Sequence, residues 1–381
     1  MINTKVLYDL LINNGFDLFT GVPDSLLKDI CSYISDNTPS ERHIIAANEG
    51  AAVAVAAGYY LATRKLSLVY MQNSGIGNAV NPLLSLADEK AYQIPMLLMV
   101  GWRGEPGTKD EPQHVKQGEV TLALFDAMKI PYIIIDSNEN TAKEQFLQLI
   151  TDVKTKETSC AAIIRKNTFS PYKLKNSPKN DWEMSREDAL QTVIDSLTPQ
   201  DVVISTTGKM SRELFEYREY KNEGHDKDFL TVGSMGHSSS IALGVALSAP
   251  DRQVYCLDGD GAMLMHMGSM ATAGTSGAEN FRHIVFNNGV HESVGAQPTV
   301  AFKISLPEIA NACGYRTAQT ATDIVELKEI LKDFRARKGP AFLEIKVNTI
   351  TRENLGRPTR TTHENRNDFM RNLNKNNMNE Y

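Results

Sequence analysis

Cysteine is scarce and scattered. Cys31, Cys160, Cys256 and Cys313 are the only four in 381 residues, and no two form a CxxC pair or stand at zinc-ligand spacing. That excludes a disulfide scaffold and a structural zinc module, and leaves four small buried hydrophobes in a reducing compartment. Long apolar runs are also missing. The longest, Ala51 to Ala62, is too short to span a bilayer, and the N-terminus lacks the apolar core of a signal peptide. There is no long basic run either, and the formal net charge is -6. Nucleic acid and anionic membranes are therefore poor partners, although a locally positive pocket can still take an anionic small molecule. A soluble cytoplasmic protein is expected.

What is present is alternation. Runs rich in β-formers end at Gly21, Met71, Val100, Asp136 and Arg165, with helical patterns between them. A polar stretch from Asn167 to Met184 follows, and then DVVIST, RQVYCLD, RHIVFNN and AFLEIKV resume the alternation. Continuous rather than alternating apolar runs predict buried parallel strands, so the fold class is α/β with helices on both faces of open parallel sheets. The halves echo each other: a small-residue helix, a strand, then a Gly-containing turn, once at EGAAVAVAAGYYLA and again at GHSSSIALGVALSA. The expected organisation is a domain over 1–168, a linker over 169–184, a second domain of similar fold over 185–366, and a poorly ordered tail over 367–381.

The most specific motif lies in the second half. A strand runs into Gly259-Asp260-Gly261, and 25 residues later another strand runs into Asn287-Asn288-Gly289. Both loops then sit at the carboxyl ends of strands, where open α/β sheets bind ligands. A hard cation such as magnesium takes oxygen ligands, which an Asp carboxylate, an Asn amide and a backbone carbonyl supply. The amides of Gly261 and Ala262, opening a helix, add donors for a phosphate.

Here the chain resembles the thiamine-diphosphate enzymes, whose diphosphate motif is GDG followed by NN at this spacing. The resemblance implies thiamine diphosphate and Mg2+ as cofactors, with Asp260, Asn288 and the Val290 carbonyl as metal ligands and Asn287 as the alternative. It also implies a glutamate opening an Ala- and Gly-rich helix that activates the cofactor's aminopyrimidine, and Glu49 stands in that setting. Taken alone, Glu49 is equally an acidic first-turn residue favoured by the helix dipole. By the same resemblance Asn73 and Ser74 lie in the loop after the next strand, and Thr207 and Gly208 begin the diphosphate domain. Gly233 and Met235 then bend the cofactor, with Met235 as ordinary core filler otherwise.

The chain is too short for the central domain of the large decarboxylases. Among two-domain members, FTGVPDSLL, NEGAAVAVAAGYYLA, FNNGVHESVG and NLGRPT look like the phosphonopyruvate decarboxylases, with sulfopyruvate decarboxylases next and a carboligase of the acetolactate synthase type as the remaining alternative. The resemblance implies a carboxy-lyase of phosphonate biosynthesis acting on a small anionic 2-oxo acid, as a homodimer or larger homo-oligomer. Candidates for handling protons are Asp24, which is alternatively a helix N-cap, and His114. Ser25, His114, Lys116, His291 and Arg357 are candidates for the substrate anion, with His114 and Lys116 in a loop. Val294 stands where some larger decarboxylases carry a catalytic Glu, leaving Glu292 as a substitute.

Overall fold

The computed structural model describes residues 1–176, 180–352 and 354–374. The chain divides into two compact units, Met1–Pro178 with His291–Pro298, and Lys179–Val290 with Thr299–Tyr381.

The first unit holds six strands: β1 (Phe16–Gly21), β2 (His43–Ile45), β3 (Leu66–Gln72), β4 (Leu97–Gly101), β5 (Tyr132–Ile134) and β6 (Cys160–Ile164). The second holds β7 (Val202–Ser205), β8 (Asp228–Leu230), β9 (Val254–Gly259), β10 (Phe281–Asn287), β13 (Thr317–Ala321) and β14 (Ala341–Lys346). Between these last come two short strands, β11 (Val290–His291) and β12 (Gln297–Pro298), which form their own pair. The first sheet runs β2-β1-β3-β4-β6-β5 and the second β8-β7-β9-β10-β14-β13. Numbered within its own unit, each sheet has the same order, 2-1-3-4-6-5, and every pairing in both is parallel. The expected similarity of the two halves is thus realised strand for strand.

The central strands are buried on both faces, as their unbroken apolar runs require. Each sheet carries one apolar cluster on either face. In the first unit one cluster gathers Phe16, Phe19, Ile30, Leu68 and Phe146, and the other Val53, Ala57, Val69, Leu98 and Phe125. The second unit repeats this with Leu214, Tyr255, Ile284 and Leu343 on one side and Val254, Phe281, Ala310 and Phe342 on the other. The helix Glu49–Thr63 buries Ala52, Val53, Ala56 and Ala57, small side chains that let its backbone approach the sheet closely.

Two expectations need amendment, while the polar stretch expected as a linker is tied down where it is described: Tyr172 N donates to Asp29 Oδ1 (2.9 Å) and Tyr172 OH to Asp36 Oδ2 (3.0 Å), holding it on the first unit. Asn180 Nδ2 already bonds the Asn288 and Val347 carbonyls of the second unit, and residues 177–179 lie outside the described residues. The supposed tail is helical from Thr362 to Leu373, because Thr361 and Glu364 form a capping box and Phe369 packs on Phe229 with ring centroids 5.6 Å apart. Only residues 375–381 of it lie outside the described part. The helix after Asp260 is broken in two, Asp260–Met265 and Ser269–Thr275. Among the described residues, no helix is long and apolar enough to cross a membrane.

Candidate active site

In a doubly wound sheet, ligands bind outside the carboxyl ends of the strands, where the strand order reverses. That point lies between β1 and β3 in the first unit and between β7 and β9 in the second. The singled-out residues gather at these two places.

In the first unit the turn after β1 carries Asp24, which is completely buried. Its Oδ2 accepts from the Leu26 amide (2.9 Å) and its Oδ1 from Gln72 Nε2 (2.6 Å), while Ser74 Oγ donates to Gln72 Oε1 (2.7 Å). The approach is close enough that a Cβ on Gly101, at the end of β4, would lie 2.1 Å from Asp24 Oδ2. Burial pushes the Asp24 carboxyl above the usual carboxylate range, against Gln72, the Leu26 amide and Arg103. A carboxyl shifted in this direction holds a proton more readily than a free one and is placed to exchange it.

Glu49 opens its helix after β2, with Asn48 as N-cap accepting from the Ala51 amide. Glu49 is 4% exposed, and its Oε2 accepts from Asn78 Nδ2 at 2.7 Å. The carboxylate lies so close to Gly75 that a Cβ there would meet Oε1 at 2.3 Å. Asn73, expected at the cofactor, turns its side chain inward. Its Nδ2 donates to the Arg103 carbonyl (2.8 Å) and to Thr121 Oγ1 (2.9 Å), and its Oδ1 accepts from the Arg103 amide (3.2 Å). The side chain is an internal strut for the segment after β4.

His114 and Lys116 lie in the first turns of a helix, Pro112–Met128, and not in a loop. Pro112 takes the opening positions, where its missing N–H costs nothing. His114 is half-buried, and burial with the Arg103 charge lowers it to about 4, against the opposing pull of Asp110. Its ring is therefore neutral at physiological pH. Lys116 points to solvent, 83% exposed, and pairs with Glu119 (3.0 Å).

In the second unit Gly208, at φ +99°, ends the turn after β7 and caps the helix Lys209–Tyr220. Thr207 Oγ1 donates to the Val232 carbonyl (2.7 Å), which ties this turn to the segment bearing Gly233 and the half-buried Met235. Asp260 is buried where β9 turns into its helix, followed by Gly261 and Ala262. Burial raises its carboxyl to about 6, although Thr299 Oγ1 and the amides of Gly261 and Asn288 favour the charged form. Asn287 is spent on the interior. Its Nδ2 donates to Glu344 Oε1 (2.6 Å) and its Oδ1 accepts from the Gly289 amide (3.1 Å). Among the described residues Asn288 Oδ1 accepts from the Val290 amide alone (3.1 Å), keeping a lone pair for a cation. His291 and Glu292, half-buried, follow in sequence but belong to the segment grouped with the first unit, and Arg357 of the second unit is exposed ahead of the last helix.

These residues fit the implied cofactors. A carboxylate forced into burial beside amide and carbonyl oxygens is a donor set for a hard cation such as Mg2+, and the missing side chain of Gly75 gives Glu49 its place. Four residues of the site escaped the sequence reading. Gln72 and Asn78 lie close to Asn73 and Ser74 in sequence without a signal of their own, Thr299 is far from Asp260 in sequence, and Arg103 needed a known strand end.

The two halves match the models for the N-terminal thiamine pyrophosphate-binding domain of thiamine pyrophosphate enzymes (residues 2–130) and for their C-terminal binding domain (residues 206–345). The chain belongs to the thiamine pyrophosphate enzyme family. It is 33% identical to the phosphonopyruvate decarboxylase of Streptomyces viridochromogenes, over 96% of this chain and 93% of the relative. The phosphonopyruvate decarboxylase of Streptomyces hygroscopicus is also 33% identical, over 96% and 92%. A sulfopyruvate decarboxylase of Methanosarcina acetivorans is 26% identical, over 88% and 89%.

Proposed function

We propose that this chain is a carboxy-lyase that converts 3-phosphonopyruvate to phosphonoacetaldehyde and CO2, a step of phosphonate biosynthesis. The observation that carries the reading is the near full-length likeness to two phosphonopyruvate decarboxylases, in a chain that keeps a buried Glu49 and a buried Asp260 at the two points where strand order reverses. Bound thiamine diphosphate supplies the electron sink for breaking the C1–C2 bond. Glu49 holds the proton that activates its pyrimidine, and Asp260, Asn288 and the Val290 carbonyl hold Mg2+. Asp24, whose carboxyl burial shifts upward, delivers the proton that replaces CO2 on C2, which balances the reaction.

The functional assembly is a homodimer or larger homo-oligomer, as in the family, and the cytoplasm is the setting in which four unpaired cysteines stay reduced. Sulfopyruvate is the second reading, supported by the relative from Methanosarcina acetivorans. The test is aldehyde formation by the purified protein with thiamine diphosphate and Mg2+, offered phosphonopyruvate, sulfopyruvate or pyruvate. Preference for phosphonopyruvate is expected. Preference for sulfopyruvate moves the pathway and keeps the chemistry. A condensation product in place of an aldehyde makes the protein a carboligase.

A further inference from the structure

We propose that Arg103 is the anchor for the tetrahedral anion on C3 of the substrate and the residue that sets preference for it, an inference that rests on the decarboxylase reading above. Arg103 follows β4, beside the turn that carries Asp24 and Ser25. Its backbone is fixed at both ends by the Asn73 amide. Its side chain is fixed by Asp110, with Nε to Oδ2 at 2.8 Å and Nη2 to Oδ1 at 2.5 Å. Asp110 is held in turn by the amides of Gly104 (2.8 Å) and Glu111 (2.7 Å). Nη1 donates to Ser25 Oγ at 2.8 Å. A guanidinium has five N–H donors, and these contacts use three. Two remain, one on each Nη, without a partner among the described residues. The head group is thus aimed and largely shielded, its side chain 19% exposed, yet it keeps a forked pair of donors. A fork suits a tetrahedral oxyanion better than a single point charge does.

Position decides which of the substrate's anions it serves. A carboxylate that is to leave as CO2 gains nothing from a strong cation, which would stabilise the ground state. The anion on C3 is retained throughout, so binding it firmly is useful. It sits one carbon from C2, the atom that receives the proton. An anchor for it must therefore adjoin the proton donor, and Arg103 reaches Ser25, the next residue after Asp24. The other cation considered nearby, Lys116, is solvated and paired with Glu119.

The test compares wild type, Arg103→Met and Arg103→Lys, loaded with thiamine diphosphate and Mg2+, on phosphonopyruvate, sulfopyruvate and pyruvate. Thermal unfolding is recorded for each. For whichever tetrahedral-anion substrate the wild type prefers, Arg103→Met should lower kcat/KM on the order of 100-fold, mainly through KM, as expected for truncating a shielded charge contact. Pyruvate, which lacks that anion, should lose far less, so the selectivity ratio collapses. Arg103→Lys should fall between, because the charge stays and the fork is lost. An unchanged selectivity ratio in both variants overturns the inference and leaves the decarboxylase reading standing. Equal loss on pyruvate also overturns it, since Arg103 would then serve the part common to all 2-oxo acids. If Arg103→Met does not fold, Arg103→Lys, which retains a cation for Asp110, decides by the same ratio. Failure of the wild type on every 2-oxo acid sinks the reading and the inference together.

Discussion

Replacing Gly75 by Ala separates catalysis from stability. The added Cβ would lie 2.3 Å from Glu49 Oε1, 2.4 Å from Cδ and 2.5 Å from Cγ, against ordinary contacts of 3.4–4 Å. The carboxylate must retreat by about 1 Å, and a misplacement of that size costs on the order of 100-fold in rate. The retreat also breaks the 2.7 Å bond from Asn78, a loss of about 1 kcal/mol. Against this, Gly75 has right-handed φ and ψ of -76° and -12°, which Ala adopts freely. Losing the unfolded-state freedom of glycine returns roughly 0.4–1 kcal/mol. The atom pushed aside is the end of a flexible side chain and not backbone, so the two stability effects nearly cancel. Gly75→Ala should therefore unfold within a few degrees of wild type while kcat falls about 100-fold. The assay is thermal unfolding beside aldehyde release under saturating cofactor. Near-normal turnover from the folded variant would show that Glu49 need not stand where the structure puts it.

Glu49→Gln keeps the side-chain volume and the Asn78 bond but has no proton to exchange; cofactor titration should look normal while kcat drops roughly 100- to 10,000-fold. Asp260→Asn should lose the rise in unfolding temperature that Mg2+ with thiamine diphosphate gives the wild type, measured by calorimetry with and without a chelator. His114 supplies the pH signature. Its folded pKa, about 4, is depressed below the ordinary value of 6.5, so its stabilising preference for the neutral ring is complete above 6.5 and lost as pH falls towards 4. His114→Gln should flatten the decline in unfolding temperature over that window and leave the profile above pH 7 unaltered.

The central strands were legible because burial on both faces writes an unbroken apolar run into the sequence. Strands β2, β8 and β13 were not. Each lies at a sheet edge and pairs on one side only. His43–Ile45 and Asp228–Leu230 are three residues long, and Thr317–Ala321 reads TAQTA. The positions of Glu49, Asp260 and Asn288 beside strand ends were legible because their surroundings are recognisable in the sequence. Asn73 shows the limit of that approach, since nothing in its loop announced the bonds its side chain makes to the Arg103 backbone. Contacts such as Asp260 with Thr299 bridge 39 residues, and no local pattern encodes them.

The repeated strand order has a practical consequence for altering this enzyme. One architecture is used twice, with the buried carboxyls of Asp24 and Glu49 on the first copy and the buried oxygens of Asp260 and Asn288 on the second. Every residue assigned here to gripping the metal belongs to the second copy, and Asp24, Ser25, Arg103, Asp110 and His114 all belong to the first. If Arg103 sets preference as proposed, substrate choice can be redesigned in residues 102–114 without rebuilding the proposed diphosphate grip. The natural route to a new 2-oxo acid is a graft of that segment together with the residues it leans on, Asn73 and Ser25, because transplanting Arg103 without its brace would move the charge and leave its aim behind.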